Sequence, residues 1–294
     1  GSGAEGKAAK GQGAEGQGTE GQGAEGQGAQ HQPSEAAGSS TPGAEMRGPR
    51  WWDPLQVVKN RQAPPPWCIK RIRKDLKSLY ADPLPGIFVH VDEHDISLLH
   101  ALINGPFDTP YEGGFFYFVL RCGENYPNEP PKVKLMNTGR GTVRFNPNLY
   151  KDGKVCLSIL GTWNGPSWSP AQSLGSVLMS IQSLMNEKPY HNEPGFDQER
   201  VAGDSQRYND CIRYQTMRVG VCDMLESKTE VPEPLRITMD ATFAAVADFF
   251  EEIIENRLNL DGYALQDPFG DNVGTFQYKN LLARVKAIRG RLGV

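Results

Sequence analysis

Long apolar runs are missing from this chain of 294 residues. No stretch approaches the roughly 18–20 consecutive apolar residues that a bilayer-crossing helix needs, so a spanning helix is excluded and membrane partners are not expected. A surplus of positive charge is missing as well: 31 Lys+Arg stand against 35 Asp+Glu, a formal net charge of -4. Proteins that bind nucleic acid neutralise phosphates with a basic surplus, which argues against nucleic acid as the main partner. Cysteine is scarce. Cys68, Cys122, Cys156, Cys211 and Cys222 are odd in number and widely spaced, with no Cys-x-x-Cys pair and no Cys/His cluster. A disulfide framework or a metal site is not expected, and the chain reads as a resident of a reducing compartment, cytoplasm or nucleus. In that setting a single Cys in an unusual loop is a candidate nucleophile. No signal-peptide pattern is seen at the start, and Gly1-Ser2-Gly3 without Met reads as a truncated start or a cloning scar.

Aromatic residues are absent from residues 1–50, whose one large apolar residue is Met46, yet this stretch holds 14 of the 33 glycines. Residues 11–30 repeat a Gly-Gln-Gly-Ala-Glu-like pentapeptide. Such a segment cannot bury enough apolar surface to offset its ordering entropy, so 1–50 is read as a disordered low-complexity tail. Trp51-Trp52 changes the composition abruptly, and exposed paired tryptophans are costly. Residues 51–66 are therefore expected to dock or link, 67–225 to form a core and 226–294 a helical extension.

Between Trp67 and Tyr80, apolar residues fall at Ile69, Ile72, Leu76 and Leu79, a helical spacing. The opposite face carries Lys70, Arg71, Arg73, Lys74 and Lys77. Two readings stand: solvated charge, or a basic docking surface. Short strands are predicted at 87–91, 100–104, 115–120 and 132–136. Turns and no helix join them, which implies an antiparallel meander. Residues 137–169 have almost no periodicity and are rich in Asn, Gly, Pro and Trp, a kind of stretch that is often functional. Ser169-Pro170 is predicted to open the next helix, with Ser as N-cap and Pro in the first turn. Further helices are predicted over 204–225, 235–259 and 277–288. The fold class is α+β.

The irregular stretch contains Asn146-Pro147-Asn148 and, eight positions after Asn148, Cys156 within Val-Cys-Leu-Ser-Ile-Leu. It is preceded by Tyr126-Pro127-Asn128-Glu129-Pro130-Pro131 and followed by Trp168-Ser169-Pro170-Ala171. Together, and in this order after a basic helix and four strands, these motifs resemble the ubiquitin-conjugating enzyme (E2) family over residues 67–225. The runs 105–116, 160–163, 188–196 and 266–270 are similar to one larger family member that has a low-complexity N-terminus and a C-terminal extension.

The resemblance implies a UBC-like fold: a four-stranded antiparallel meander with flanking helices, here with a C-terminal helical extension. It implies that Cys156 accepts ubiquitin as a thioester from an activating enzyme (E1) and passes it to a lysine or a ligase (E3). No cofactor is implied; ATP is consumed upstream by the E1. Likeness to the larger member implies charging by the alternative E1 and acceptance of the tandem ubiquitin-like modifier that this E1 activates. Asn148 takes the oxyanion-stabilising role, though an Asn-Pro-Asn turn also uses its Asn structurally, and the two roles can coexist. Glu193 is the first candidate for the acidic group that orients the acceptor lysine and His191 the second; the bland alternative is a polar loop. The basic helix would meet the E1 through Lys70, Arg71, Arg73, Lys74 and Lys77. A ligase would dock at Asn128, Ser169, Pro170 and Ala171.

Three features depart from the family pattern. Asn146 stands where the motif usually begins with His. Asn128 stands where ligase-binding members often carry an aromatic. The interval from Cys156 to Trp168 is longer than usual, with the extra residues within 161–167. Two other readings compete: a catalytically silent E2-like adaptor, which an intact Cys156 setting opposes, and a cysteine hydrolase, which needs a paired His base that the neighbourhood of Cys156 lacks.

Overall fold

The computed structural model describes residues 48, 50–56 and 62–294. The repeats and nearly all of the expected tail lie outside the described residues. Helix α1 spans Pro66–Ala81. Its first residue is a proline, which loses nothing there because the first-turn N–H has no helical acceptor. Cys68, Ile72, Leu76 and Leu79 form its buried stripe. Four strands follow: β1 (Ile87–Val91), β2 (Leu98–Asn104), β3 (Phe115–Arg121) and β4 (Lys132–Leu135). They pair antiparallel in the order β1-β2-β3-β4, the meander expected from turn-linked strands. Strand β2 begins earlier than predicted, at Leu98.

Strand β3 reads Phe-Phe-Tyr-Phe-Val-Leu, apolar on both faces, and both faces are covered. Phe116, Phe118 and Leu120 join a core with α1 and with helix α2 (Leu174–Leu184). Phe115, Tyr117 and Val119 join a second core with the C-terminal helices.

Helix α2 starts later than predicted. Ser173, not Ser169, is its N-cap: its side chain accepts the Ser176 N–H, and the Ser176 hydroxyl accepts the Ser173 N–H. Ser169-Pro170 instead forms a single turn, with the Gln172 N–H donating to the Ser169 carbonyl at 2.9 Å. Helix α3 (Asp204–Gln215) runs on into a π-helical segment, Thr216–Asp223. Gly220 lies there with its ideal Cβ position 3.4 Å from Gly114 Cα, so the widened helix packs backbone to backbone against the start of β3.

The predicted helix 235–259 is two helices, α4 (Glu233–Ala245) and α5 (Ala247–Glu255), divided at Val246, whose φ of -135° leaves the helical region. The break lets Phe243 and Phe250 stack at 4.9 Å, both fully buried. Helix α6 (Tyr278–Leu292) completes the second core. Before α1, Trp52 is buried, Asp53 pairs with Lys134 at 2.7 Å, and Arg121 donates to the Pro54 carbonyl at 2.7 Å.

Candidate active site

Cys156 lies in the stretch between β4 and α2, which carries isolated antiparallel bridges, Leu149 with Val155 among them, and a 3-10 turn at Ser158–Leu160. Beside the Leu149–Val155 bridge, Asn148 holds Cys156 through both its main chain and its side chain. The Cys156 N–H donates to the Asn148 carbonyl at 2.9 Å, and Asn148 Nδ2 donates to the Cys156 carbonyl at 2.8 Å. Asp152-Gly153 makes the turn between them. Gly153 sits at φ 92°, and a Cβ there would lie 2.4 Å from the Leu135 carbonyl oxygen. Downstream, Thr162, inside the lengthened 161–167 loop, donates through Oγ1 to the Val155 carbonyl at 2.6 Å and accepts the Leu157 N–H at 3.0 Å. The extra loop thereby fastens the Cys-bearing segment.

The Cys156 side of this loop is dry: the residue is 1% exposed. Burial pushes the thiol pKa up, while the Lys154 charge, a hydrogen bond from the Tyr150 hydroxyl and the Arg144 charge pull it down. Burial and the neighbouring Cys156 push Tyr150 up to about 12, so its hydroxyl stays protonated and available as a donor. Nothing in the sequence singled out Tyr150; only proximity through the Asp152-Gly153 turn does.

Asn146 is fully buried and acts as a hub. Its Nδ2 lies 2.8 Å from both the Tyr111 hydroxyl and the Leu184 carbonyl, and its Oδ1 accepts the Asn148 N–H at 2.9 Å. Tyr111 donates onward to the Phe145 carbonyl at 2.6 Å. The amide that stands in place of the usual His thus satisfies the loop from inside.

The segment holding Glu193 and His191 follows α2 as a 3-10 turn, Pro189–Asn192. Asn192 ties it back by donating to the Leu184 carbonyl at 3.0 Å. His191 Nδ1 is 2.6 Å from the Phe196 carbonyl oxygen, so this ring braces its own loop. Glu193 faces Arg144 at 3.7 Å, and the Arg144 guanidinium lies 4.5 Å from the centre of the Tyr150 ring. Burial raises the Glu193 pKa, against the pull of Arg144. Tyr150 feels both Cys156 and Glu193, so the structure gathers Cys156, Tyr150, Arg144 and Glu193 into one electrostatic neighbourhood.

On α1, Lys70, Arg73, Lys74 and Lys77 are exposed. Arg71 differs: it bonds Asp75 at 2.9 Å, the Pro170 carbonyl at 2.7 Å and the Gln172 carbonyl. Buried Asp75 also accepts from the Tyr126 hydroxyl and from the Leu174 N–H. Asn128, Ser169, Pro170 and Ala171 are exposed. Trp168 joins their two segments by donating Nε1–H to the Pro127 carbonyl at 2.7 Å.

A family model described as ubiquitin-conjugating enzyme matches residues 71–216. Over 242 residues the chain is 58% identical to Ubiquitin-conjugating enzyme E2 Z of Danio rerio, covering 82% of this chain and 74% of that one. This chain belongs to the ubiquitin-conjugating enzyme family. Ubiquitin-conjugating enzyme E2 Z of Homo sapiens is also 58% identical over 242 residues, 82% of this chain and 68% of that one. The Homo sapiens dual E2 ubiquitin-conjugating enzyme/E3 ubiquitin-protein ligase BIRC6 is 43% identical over 151 residues, 48% of this chain and 3% of that one. Membership makes the protein a ubiquitin transferase and gives it the partner classes general to E2 enzymes: ubiquitin, an E1 and E3 ligases. The observed sheet and flanking helices are those of the UBC fold. Among the described residues, no helix is long and apolar enough to cross a membrane.

Proposed function

We propose that Cys156 accepts ubiquitin as a thioester and hands it on. The Cys156 thiolate attacks the carbonyl carbon of the E1-bound thioester, and the E1 thiolate leaves. In the second step a substrate lysine, or a ligase Cys, attacks the new thioester, and the Cys156 thiolate leaves. Exchange between two thioesters is close to energetically balanced, so no dedicated base is needed for it. The carrying observation is the reciprocal Asn148–Cys156 clasp around the family's motif Cys.

Aminolysis passes through a tetrahedral oxyanion. A primary amide has two N–H donors. One of those on Asn148 is committed to the Cys156 carbonyl, which leaves the second for the oxyanion, a contribution of roughly 3–4 kcal/mol in comparable sites. The lysine must also lose a proton, and Glu193, with a pKa raised by burial, is suited to orient or accept it. Burial of Cys156 means that charging has to uncover the sulfur.

Likeness to E2 Z supports charging by the alternative E1 and acceptance of the tandem ubiquitin-like modifier as well as ubiquitin. The exposed lysines and Arg73 of α1 are the proposed E1-facing surface, with Arg71 serving inside it as a brace. The exposed 128 and 169–171 segments are the proposed ligase surface, and cytoplasm and nucleus the proposed locations. The test is incubation with each E1, ATP and each modifier, followed by a non-reducing gel. The wild-type chain is expected to form a thiol-sensitive adduct, Cys156→Ser a thiol-resistant ester and Cys156→Ala none. No adduct with either E1 would overturn the reading.

A further inference from the structure

Arg144 does more than pull on Cys156. Its Nη1 lies 3.2 Å from Asp271 Oδ2, its Nη2 lies 3.7 Å from Glu193 Oε2, and the same Nη2 donates to the Pro147 carbonyl at 2.7 Å. Its guanidinium lies against Tyr150, and its Nε–H is buried without an acceptor. One cation therefore joins the Cys loop, the Glu193 segment and a piece of chain that follows more than seventy residues later.

That piece is firmly held. Asp267 Oδ1 accepts the Phe269 N–H at 2.8 Å, and Oδ2 accepts from the Asn272 N–H at 2.9 Å and from Asn272 Nδ2 at 2.7 Å. Phe269 wedges among Tyr190, Phe196 and Tyr208, with ring centres 5.3, 5.2 and 5.0 Å away. Two of those rings flank Glu193 in sequence. Asp271 is thus presented by a rigid turn to a guanidinium that Glu193 also needs.

We propose that Asp271, acting through Arg144, positions Glu193 for attack of the acceptor lysine on the Cys156 thioester, so that the C-terminal extension supplies a positioning residue to the active site. The proposal rests on the thioester reading and on Glu193 as its acidic group. Asp271 stands nearer to Arg144 than Glu193 does. It takes the larger share of the cation, and Glu193 is left loosely paired, able to turn toward an incoming ammonium. The charged groups facing Glu193 are Arg144 from the Cys loop, Asp271 from the extension and Arg200 from its own loop. Burial raises the Glu193 pKa, Arg144 and Arg200 lower it, and Asp271 raises it. Without Asp271 the Arg144–Glu193 pair closes and the Glu193 pKa falls. Without Arg144 it rises.

The test uses the full chain, preloaded with ubiquitin. Single-turnover discharge to free lysine is measured from about pH 5 to pH 9, corrected for the fraction of neutral lysine, beside discharge to 2-mercaptoethanol, which needs no amine deprotonation. Asp271→Asn is expected to slow lysine discharge ~10-fold, the scale of a lost positioning contact, while charging and thiol discharge stay unchanged. Its acid limb moves to lower pH, that of Arg144→Gln to higher pH. Asp271→Glu restores most of the rate. In a Glu193→Gln background, Asp271→Asn adds no further loss. Equal loss toward lysine and thiol, an additive loss in that background, or no effect of Asp271→Asn would each overturn the proposal. Failure of the wild-type chain to charge would instead remove the thioester reading beneath it.

Discussion

Tyr150 shows how one side chain sets the reactivity of another. Its hydroxyl stays protonated, and its hydrogen-bonding influence lowers a Cys156 thiol pKa that burial has raised. Thiolate, not thiol, is the nucleophile. Tyr150→Phe removes the donor and keeps the ring under Arg144, so the Cys156 pKa moves further up. The rate of charging is then expected to drop several-fold near neutral pH and to recover as pH rises through the thiol range, its profile displaced to higher pH relative to wild type. Stopped charging reactions across a pH series measure this, and coincident profiles would count against the hydrogen bond. The proposed nucleophile, Cys156, was legible in the sequence as a candidate, because its motif and spacing are local. Tyr150 and Arg144 were not, because what makes them relevant is a turn at Gly153 and a contact between segments far apart in the chain.

At the scale of elements, helix starts are decided by which side chain reaches which orphan N–H. Ser169-Pro170 has the composition of a helix start, yet Ser173 holds the cap because its partner Ser176 completes a reciprocal box. Ser173→Ala is expected to lower stability by about 1 kcal/mol, and Ser169→Ala by much less. Urea melts of the two variants distinguish them, and equal losses would contradict the assignment. The split of 235–259 into α4 and α5 has the same lesson: the apolar period runs through Val246 unbroken, yet the helix breaks there and Phe243 stacks on Phe250 across the break. The four strands were readable because each is short, turn-bounded and locally patterned.

Across the whole molecule, the extension and the conjugating core share apolar packing. Leu102, Phe115, Tyr117 and Val119 of the sheet pack in one core with Phe243, Phe250, Ile254, Tyr278, Leu281 and Val285. Apolar residues on both faces of β3 signal burial on both faces, and that signal is visible in Phe-Phe-Tyr-Phe-Val-Leu. Phe243→Ala is expected to cost about 3–5 kcal/mol and to lower one common melting transition seen by circular dichroism and by Cys156 labelling alike. A separate early transition of the extension, leaving Cys156 protected, would refute the shared core.

Sequence by itself determined the fold class and the family, and pointed to Cys156 as the proposed nucleophile, because these rest on local spacing and on motifs whose order along the chain is fixed. It also separated the low-complexity start from the rest, since composition alone sets how much apolar surface a segment can bury. Only the tertiary structure decided that His191 braces its own loop, that Arg71 turns inward to hold the 169–172 turn, and that Asp271 reaches Arg144. Those outcomes depend on which charges and donors meet after packing. Side-chain pairings between segments remote in sequence leave no periodic trace for a sequence reading to find.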